Sequence, residues 1–355
     1  MPSLFDPLVA GAFHLPNRIV MSPLTRCRAD AGRIPSALMV EYYRQRAGAG
    51  LIISEGTVIS PTAAGFPDTP GIWNAAQVAG WRRVTEAVHA AGGRIVCQLW
   101  HVGRLSHPVY IDGAQPVAPS AVPAAGHVRL MRPITDHPVP RALDLAEIAG
   151  IVEDFRSAAV NAKAAGFDGV ELHAANGYLI DQFMQDKTNR RTDGYGGPIA
   201  NRLRFLLEVT DAVSGVWGAG RVGVHLTPRC DVNDAGDSDP RALFSAVARA
   251  LKGRGVAFLC LRERLKPDSL IDMIRQEFGG VVVANEDLTQ ASAEALLAGG
   301  RADAAAFGRA FIANPDLVER LRRGAMLNPP DPETFYGHQN GARGYTDYPT
   351  LTLSA

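Results

Sequence analysis

The chain has 355 residues, and its 36 Lys and Arg residues balance 36 Asp and Glu residues, so the formal net charge at pH 7 is zero. A chain without a basic excess offers no broad positive surface to nucleic acid or to an anionic membrane, and we expect neither as a partner. With 46% hydrophobic and 20% charged residues, the composition is that of a packed globular protein that binds small molecules.

Short apolar runs alternate along the chain with longer helical patterns. The eight runs cover residues 18–23, 51–56, 94–100, 169–173, 222–226, 256–261, 281–285 and 302–308. Helix start signals follow three of them, with Asn74 before residues 75–91, Asp144 before residues 145–165, and Asp239-Pro240 before residues 241–252. Eight apolar strands joined by helices predict an α/β fold of the closed (β/α)8 (TIM) barrel type.

We predict a single barrel domain over residues 1–355. The residues beyond a minimal barrel form an N-terminal extension, a loop insertion after strand three at about 101–143, and a tail at about 325–355. Loops on the catalytic face of a barrel are usually pocket walls. The chain opens without a signal peptide pattern and holds no apolar run long enough for a membrane helix, so we expect a cytoplasmic protein. It could be a monomer or a homodimer.

Four cysteines, Cys27, Cys97, Cys230 and Cys260, are scattered without a C-x-x-C pair. The spacing gives no sign of a disulfide framework or of a metal site, and we expect no metal. Cys97 and Cys260 lie in apolar runs and are predicted to be buried, inert thiols. Residues 218–223 match G-x-G-x-x-G but precede a strand, so we interpret them as the glycine-rich end of a helix and not as a dinucleotide site.

Polar residues gather at the predicted carboxyl ends of the strands, where barrel enzymes keep their catalytic groups. They are Ser22, Pro23, Thr25, Glu55, Gly56, Gln98, Trp100, His101, His173, Asn176, His225, Asn285, Gly308 and Arg309. Carboxylates are scarce, which disfavours glycoside hydrolysis. Neutral hydrogen-bonding groups suit a planar heterocycle, and the Gly-Arg step after strand eight suits a phosphate. A flavin mononucleotide (FMN) has both parts.

The turn after strand four carries His173, Asn176 and Tyr178. His and Asn three residues apart can point the same way and bind one oxygen, an arrangement that polarises a carbonyl. The phenol of Tyr178 could then hand a proton to the neighbouring carbon. The alternative is a polar turn with only a structural role.

Several long motifs carry a resemblance that extends over nearly the whole chain. They are residues 17–26, 98–104, 116–121, 173–178, 186–197, 306–309 and 344–350. In this order they resemble the Old Yellow Enzyme family of FMN-dependent ene-reductases. The resemblance implies an FMN that is bound tightly but non-covalently and reduced by NADPH or NADH. It also implies hydride transfer to the β-carbon of an α,β-unsaturated carbonyl or nitro compound.

The resemblance also implies roles for individual residues. His173 and Asn176 would bind the substrate oxygen, Tyr178 would donate the proton, and Trp100 and Tyr336 would shape the substrate pocket. The residues expected to contact the cofactor are Pro23, Leu24, Thr25, Gly56, Gln98, His225, Ala284, Asn285, Phe307, Gly308 and Arg309, the last two at the phosphate.

Three positions depart from the family pattern. His225 stands at the end of strand five where an Arg beside the flavin is usual, and His can be neutral whereas Arg stays charged. Residues 285–287 are Asn-Glu-Asp where Asn-Gly-Gly is frequent in the family, and the charges of Glu286 and Asp287 would repel a phosphate. The segment 262–268 is shorter than usual.

These departures leave three functions open. The first is general ene-reduction. The second is a flavin-dependent biosynthetic tailoring step, such as a dehydrogenation, an isomerisation or another redox-neutral reaction. The third is a non-catalytic barrel that has lost FMN.

Overall fold

The computed structural model describes residues 1–229 and 232–351. Its strands are β1 (Leu8–Ala10), β2 (Phe13–Leu15), β3 (Ile19–Met21), β4 (Leu51–Ile53), β5 (Thr57–Val58), β6 (Ile95–Trp100), β7 (Val117–Ala118), β8 (Arg141–Ala142), β9 (Gly169–Ala174), β10 (Val222–Leu226), β11 (Phe258–Arg262), β12 (Val281–Asn285) and β13 (Ala304–Phe307). Its helices are α1 (Ala37–Gln45), α2 (Ala75–Ala90), α3 (Leu145–Ala164), α4 (Leu179–Met184), α5 (Ile199–Arg202), α6 (Arg204–Trp217), α7 (Pro240–Arg254), α8 (Ile271–Phe278), α9 (Gln290–Ala298), α10 (Arg309–Ala313) and α11 (Leu317–Arg323).

Eight parallel strands close into a barrel, which confirms the predicted fold. The sheet runs β4-β3-β13-β12-β11-β10-β9-β6, and a pairing between β4 and β6 closes it. Each of the eight predicted apolar runs overlaps one of these strands, and β9 and β11 each extend one residue beyond the predicted run. Because all eight strands are parallel, their carboxyl ends meet at one mouth.

The predicted helix starts are also confirmed. Asn74 and Asp144 each cap their helix with a side chain that accepts a backbone N–H three residues on, and both form a capping box. Asp239 caps α7, whose first residue is Pro240. Gly218, which ends α6, has φ 75°, as expected for a glycine cluster at a helix end.

The N-terminal extension fills the amino end of the barrel. Hairpin β1–β2 sends Phe13 inside, where its ring lies 6.3 Å from that of Phe258. A side chain at Gly169 would collide with Phe13, at 2.6 Å, so glycine is required at this close approach. The open end of the barrel is therefore the mouth formed by the carboxyl ends.

The tail is fastened by buried arginines from the loop after β3. The Arg26 guanidinium donates to the carbonyls of Phe335, at 2.8 Å, and Gly344, at 2.9 Å. The Tyr345 ring stacks on Tyr42 with centroids 4.2 Å apart. Residues 352–355 of the predicted tail lie outside the described residues.

The segment between β6 and α3 packs beside the mouth through Arg104. This buried guanidinium donates to the carbonyls of Val122 and Pro123 within the segment and to those of Asn233 and Asp234 after β10. It therefore joins the predicted insertion to the loop of strand β10.

The described cysteines Cys27, Cys97 and Cys260 are free and buried, as predicted for the last two. Burial raises the pKa of Cys97 to about 12. Cys230 lies outside the described residues. Every helix in residues 1–229 and 232–351 is too short or too polar to span a bilayer.

His101, at the end of β6, should make the fold sensitive to acid. Its Nδ1 accepts the N–H of Gly103 at 3.0 Å, and Nε2 is buried with no partner among the described residues. Burial lowers its pKa to about 3 from 6.5. On acidification the unfolded chain therefore binds a proton at this histidine at a higher pH than the folded chain does. The contribution of His101 to the free energy of unfolding is full above pH 6.5 and falls as the pH drops towards 3.

Between pH 7 and pH 4.5, we expect the free energy of unfolding to fall by roughly 3 kcal/mol less in His101→Asn than in the wild-type chain. The amide oxygen of the asparagine can accept the same N–H. Urea unfolding at both pH values measures this difference. His14→Asn, at an exposed position, is the control. An unchanged pH dependence in His101→Asn would contradict the prediction.

Candidate functional site

A cavity of about 540 Å³ opens at the carboxyl ends of the barrel strands. It collects predicted residues from the loops after β3 and β9, from β10, β12 and β13, and from the tail. Those that line it are Pro23, Leu24, Thr25, His173, Asn176, His225, Asn285, Phe307, Gly308, Arg309 and Tyr336.

Of the residues to which the resemblance gives a role, five lie outside this lining, namely Gly56, Gln98, Trp100, Tyr178 and Ala284. Gly56 packs against the Trp100 ring, which a Cβ would approach to 2.6 Å. Gln98 lies beneath the cavity, where its side-chain amide is within hydrogen-bond distance of Glu171 and His225. Ala284 packs in the apolar layer between barrel and helices, so only its backbone is left for a cofactor. Tyr178 lies beside the cavity, with its ring 5.0 Å from Trp100.

The amide of Asn176 is held in one orientation. Its φ is 60°, a left-handed conformation that asparagine tolerates. Its Oδ1 accepts from the Thr227 hydroxyl at 3.0 Å and from Arg262 Nη1 at 2.7 Å. Arg262 in turn donates to Glu286 at 2.5 and 3.2 Å. Because the oxygen is engaged, the NH2 group is left for the cavity.

His173 and Tyr178 form an aromatic pair next to this amide. Their rings meet edge to face with centroids 4.8 Å apart. Burial, with smaller effects from His225 and Arg262, lowers the pKa of His173 well below its usual value. Burial also raises the pKa of Tyr178 above that of a free phenol. At neutral pH His173 is therefore uncharged and Tyr178 keeps its proton.

The floor of the cavity contains a buried polar network. Gln98 Nε2 donates to Glu171 at 2.8 Å and lies 3.3 Å from His225 Nδ1. His225 Nδ1 is 3.6 Å from Glu171, while His225 Nε2 and Glu171 Oε1 have no partner among the described residues. The floor thus presents a histidine nitrogen to the cavity and keeps a carboxylate behind it.

Cys260 joins Glu171 and His225 in a group whose ligand atoms lie within 4.8 Å of one another. Such a group has the composition of a metal site. However, burial raises the pKa of the thiol well above its usual value, and metals bind the thiolate. The Cys260 thiol is therefore protonated at neutral pH.

The acidic residues after β12 are paired with arginines. Glu286 bonds Arg262, and Asp287 lies 3.0 Å from Arg264 and 3.9 Å from Arg309. Their charges are offset locally, so the repulsion that the sequence suggests for a phosphate is weakened.

Comparisons with known proteins agree with this geometry. The model of the NADH:flavin oxidoreductase / NADH oxidase family matches residues 3–328. Morphinone reductase, solved in complex with tetrahydroNAD, is 52% identical, with 99% of each chain covered and a TM-score of 0.95. The old yellow enzyme homologue from Zymomonas mobilis is 46% identical, covers 99% of this chain and 100% of its own, and has a TM-score of 0.95.

A probable flavin mononucleotide-dependent alkene reductase from Leishmania infantum is 45% identical over 98% of this chain and 97% of its own. The chain belongs to the Old Yellow Enzyme family. It is an FMN-dependent oxidoreductase, as the resemblance implied.

The residues present fit FMN. The cavity volume lies within the range of about 300 to 1,000 Å³ that is usual for cofactor sites. The buried Nε2 of His225, which has no partner among the described residues, belongs to the cavity lining and would be available to a polar edge of the flavin. Arg309, with 75% of its side chain exposed, stands at the cavity rim, where a guanidinium suits a phosphate.

Sequence reasoning missed three residues that hold this site together, namely Glu171, Thr227 and Arg262. Glu171 lies two residues before His173 on the same strand, and the alternation of side chains in a strand could have placed both inside. For Thr227 and Arg262 the partner lies on another strand, and no local pattern marks them.

His225 should influence the reduction potential of the flavin. We expect His225→Arg to raise the two-electron potential by about 30 mV or more, because a permanent charge at the floor stabilises the reduced, more negative flavin. Anaerobic photometric titration measures the potential. His225→Asn is the neutral control, and flavin content verifies the integrity of each variant. Equal potentials in the wild-type chain and His225→Arg would show that this position does not tune the cofactor.

Proposed function

We propose that this protein is an FMN-dependent ene-reductase that reduces activated C=C bonds of α,β-unsaturated carbonyl or nitro compounds with NADPH or NADH. The observation that carries the proposal is the arrangement of two neutral donors, His173 and Asn176, in the cavity lining with the Tyr178 phenol beside them. The family relationship supports it, since the relative from Leishmania infantum is described as an alkene reductase.

His173 and Asn176 would bind the carbonyl or nitro oxygen. As negative charge builds up on that oxygen during reduction, hydrogen bonds from fixed donors become stronger and lower the barrier. The two donors suit this task because one is neutral through burial and the other is held by its engaged oxygen.

Tyr178 would protonate the carbon next to the activating group. The phenol is protonated at neutral pH because burial raises its pKa, so it can act as an acid. FMN, when bound, would supply the hydride chemistry, with NADPH or NADH as the source of the hydride. The chain contributes the oxygen anchor and the proton.

The positions of the other residues in and around the cavity support their proposed roles. We propose that Pro23, Leu24 and Thr25 contact the flavin along the loop after β3, and that Asn285, Phe307 and Gly308 contact it from β12 and β13. Arg309 would bind the phosphate, and Tyr336 would limit the substrate pocket. Gln98, Gly56 and Trp100 would act from below or beside the cavity, and Ala284 through its backbone.

A second function, a tailoring reaction such as dehydrogenation or isomerisation, is favoured by one observation, the histidine at the cavity floor. If His225 stabilises the reduced flavin poorly, the same anchor and acid could serve a redox-neutral or oxidative step. Steady NADPH consumption with cyclohexenone would speak against this alternative.

We also propose a cytoplasmic location, as a monomer or a homodimer. The location is supported by the free, buried thiols of the described chain, since reducing compartments keep thiols free.

Tyr178→Phe tests the proposed acid. We expect the rate of alkene reduction to fall by about 10²-fold or more, because a positioned acid contributes about 10² to 10⁴. Flavin reduction by NADPH should remain unchanged, because it requires no proton from the phenol. Stopped-flow absorbance measures the two steps separately. Tyr195→Phe, whose hydroxyl bonds Glu208 on the outside of the barrel, is the matched control. Unchanged alkene reduction would refute the role of Tyr178.

A further inference from the structure

Arg262 occupies a position at the mouth that the proposed chemistry does not explain. It ends β11, lines the cavity, and reaches across to Asn176 Oδ1 at 2.7 Å. Glu286, on the next strand connection, holds the guanidinium through Nε and Nη2. Nη1 is thereby directed at Asn176.

The guanidinium decides which way the Asn176 amide faces. Arg has donors and no acceptor, so only the oxygen of an amide can face it. The Thr227 hydroxyl at 3.0 Å agrees with this orientation, because it donates to Oδ1 while accepting the Asn176 backbone N–H at 3.0 Å. A flipped amide would point its NH2 at a cation and lose both bonds.

The charge of Arg262 also acts through the amide. A cation bonded to an amide oxygen polarises the group and strengthens the bonds that its NH2 donates. The same charge helps to keep His173 neutral, so it acts on both donors.

We propose that Arg262 is a positioning residue that orients and polarises the Asn176 amide towards the substrate oxygen that becomes negative during reduction, with Glu286 holding it in place. This inference rests on the proposed function, in which Asn176 binds that oxygen. It assigns a joint role to two of the places where the sequence departs from the family pattern.

The test uses the flavin-loaded protein and 4-nitrophenol, whose ionised form presents an anionic oxygen and changes colour on ionisation. For Arg262→Met we expect about tenfold weaker binding of the phenolate and a rise of about one unit in the pKa of the bound phenol, the equivalent of one lost charged hydrogen bond. The kcat/KM for cyclohexenone should fall by a similar factor. Arg262→Lys, which keeps the charge, should recover part of the loss.

Arg264→Met is the matched control, since Arg264 lies two residues away, pairs with Asp287 at 3.0 Å, lies only 4.0 Å from Glu286 and makes no bond to Asn176. It should leave phenolate affinity and the bound pKa unchanged. Because Arg262→Met leaves Glu286 without its partner, Arg262→Met/Glu286→Gln, which removes both charges, guards against loss of folding. It should show the same loss of phenolate binding with flavin content at the wild-type level.

A double-mutant cycle with Asn176→Ala separates the positioning role of Arg262 from the oxygen-binding role proposed for Asn176. Arg262→Met should have no further effect on phenolate binding once Asn176 is removed. If Asn176→Ala weakens binding and Arg262→Met does not, the positioning role is wrong and the proposed anchor stands. If Asn176→Ala itself binds the phenolate as tightly as the wild-type chain, the anchor and the positioning role are both wrong. Additive effects in the double variant would overturn the inference as well.

Discussion

Closure of the barrel between β4 and β6 sets which side chains can take part in chemistry. A closed parallel sheet has no free edge, so its register is fixed and every second residue faces the interior. On β10, His225 faces inward while Val224 and Leu226 pack among the apolar residues outside the barrel. On β9, Glu171 and His173 fall on the inner side by the same alternation, with His225 opposite His173 in the register. The polar floor and the inward position of His173 follow from this one constraint.

Fixed charge in the mouth is arranged in pairs that cross from one strand connection to the next. Arg262 pairs with Glu286, and Arg264 pairs with Asp287. Without their partners, Glu286 and Asp287 would place negative charge near a phosphate. In the fold, each lies within hydrogen-bond distance of a guanidinium. Segments 262–268 and 286–287 therefore belong to one charge network. A substitution at either segment alone would leave a charge without its partner, which is costlier than losing both.

The fold was predictable because its signals are local. Apolar runs, the caps Asn74 and Asp144, and the Asp239-Pro240 start are each contained within a few residues, and the structure has all of them. Family motifs supplied the site residues, eleven of which line one cavity. The features that the sequence did not predict depend on contacts between segments distant in sequence. Arg262 bonds Asn176 across 86 positions, and Arg26 bonds Gly344 across 318. Nothing in either segment alone indicates such a partner.

The groups that would meet the substrate oxygen are neutral donors, although charged side chains, Arg262 and Arg309 among them, also line the cavity. Burial keeps His173 uncharged and Tyr178 protonated, while Arg262 lies behind the Asn176 amide and Glu171 behind His225. A charge in direct contact with the oxygen would bind the ground state of an anionic ligand strongly. Neutral donors backed by fixed charge respond most to the charge that develops during the reaction, and they need no reorganisation to do so. In the proposed function, we expect this arrangement to favour the transition state over the substrate.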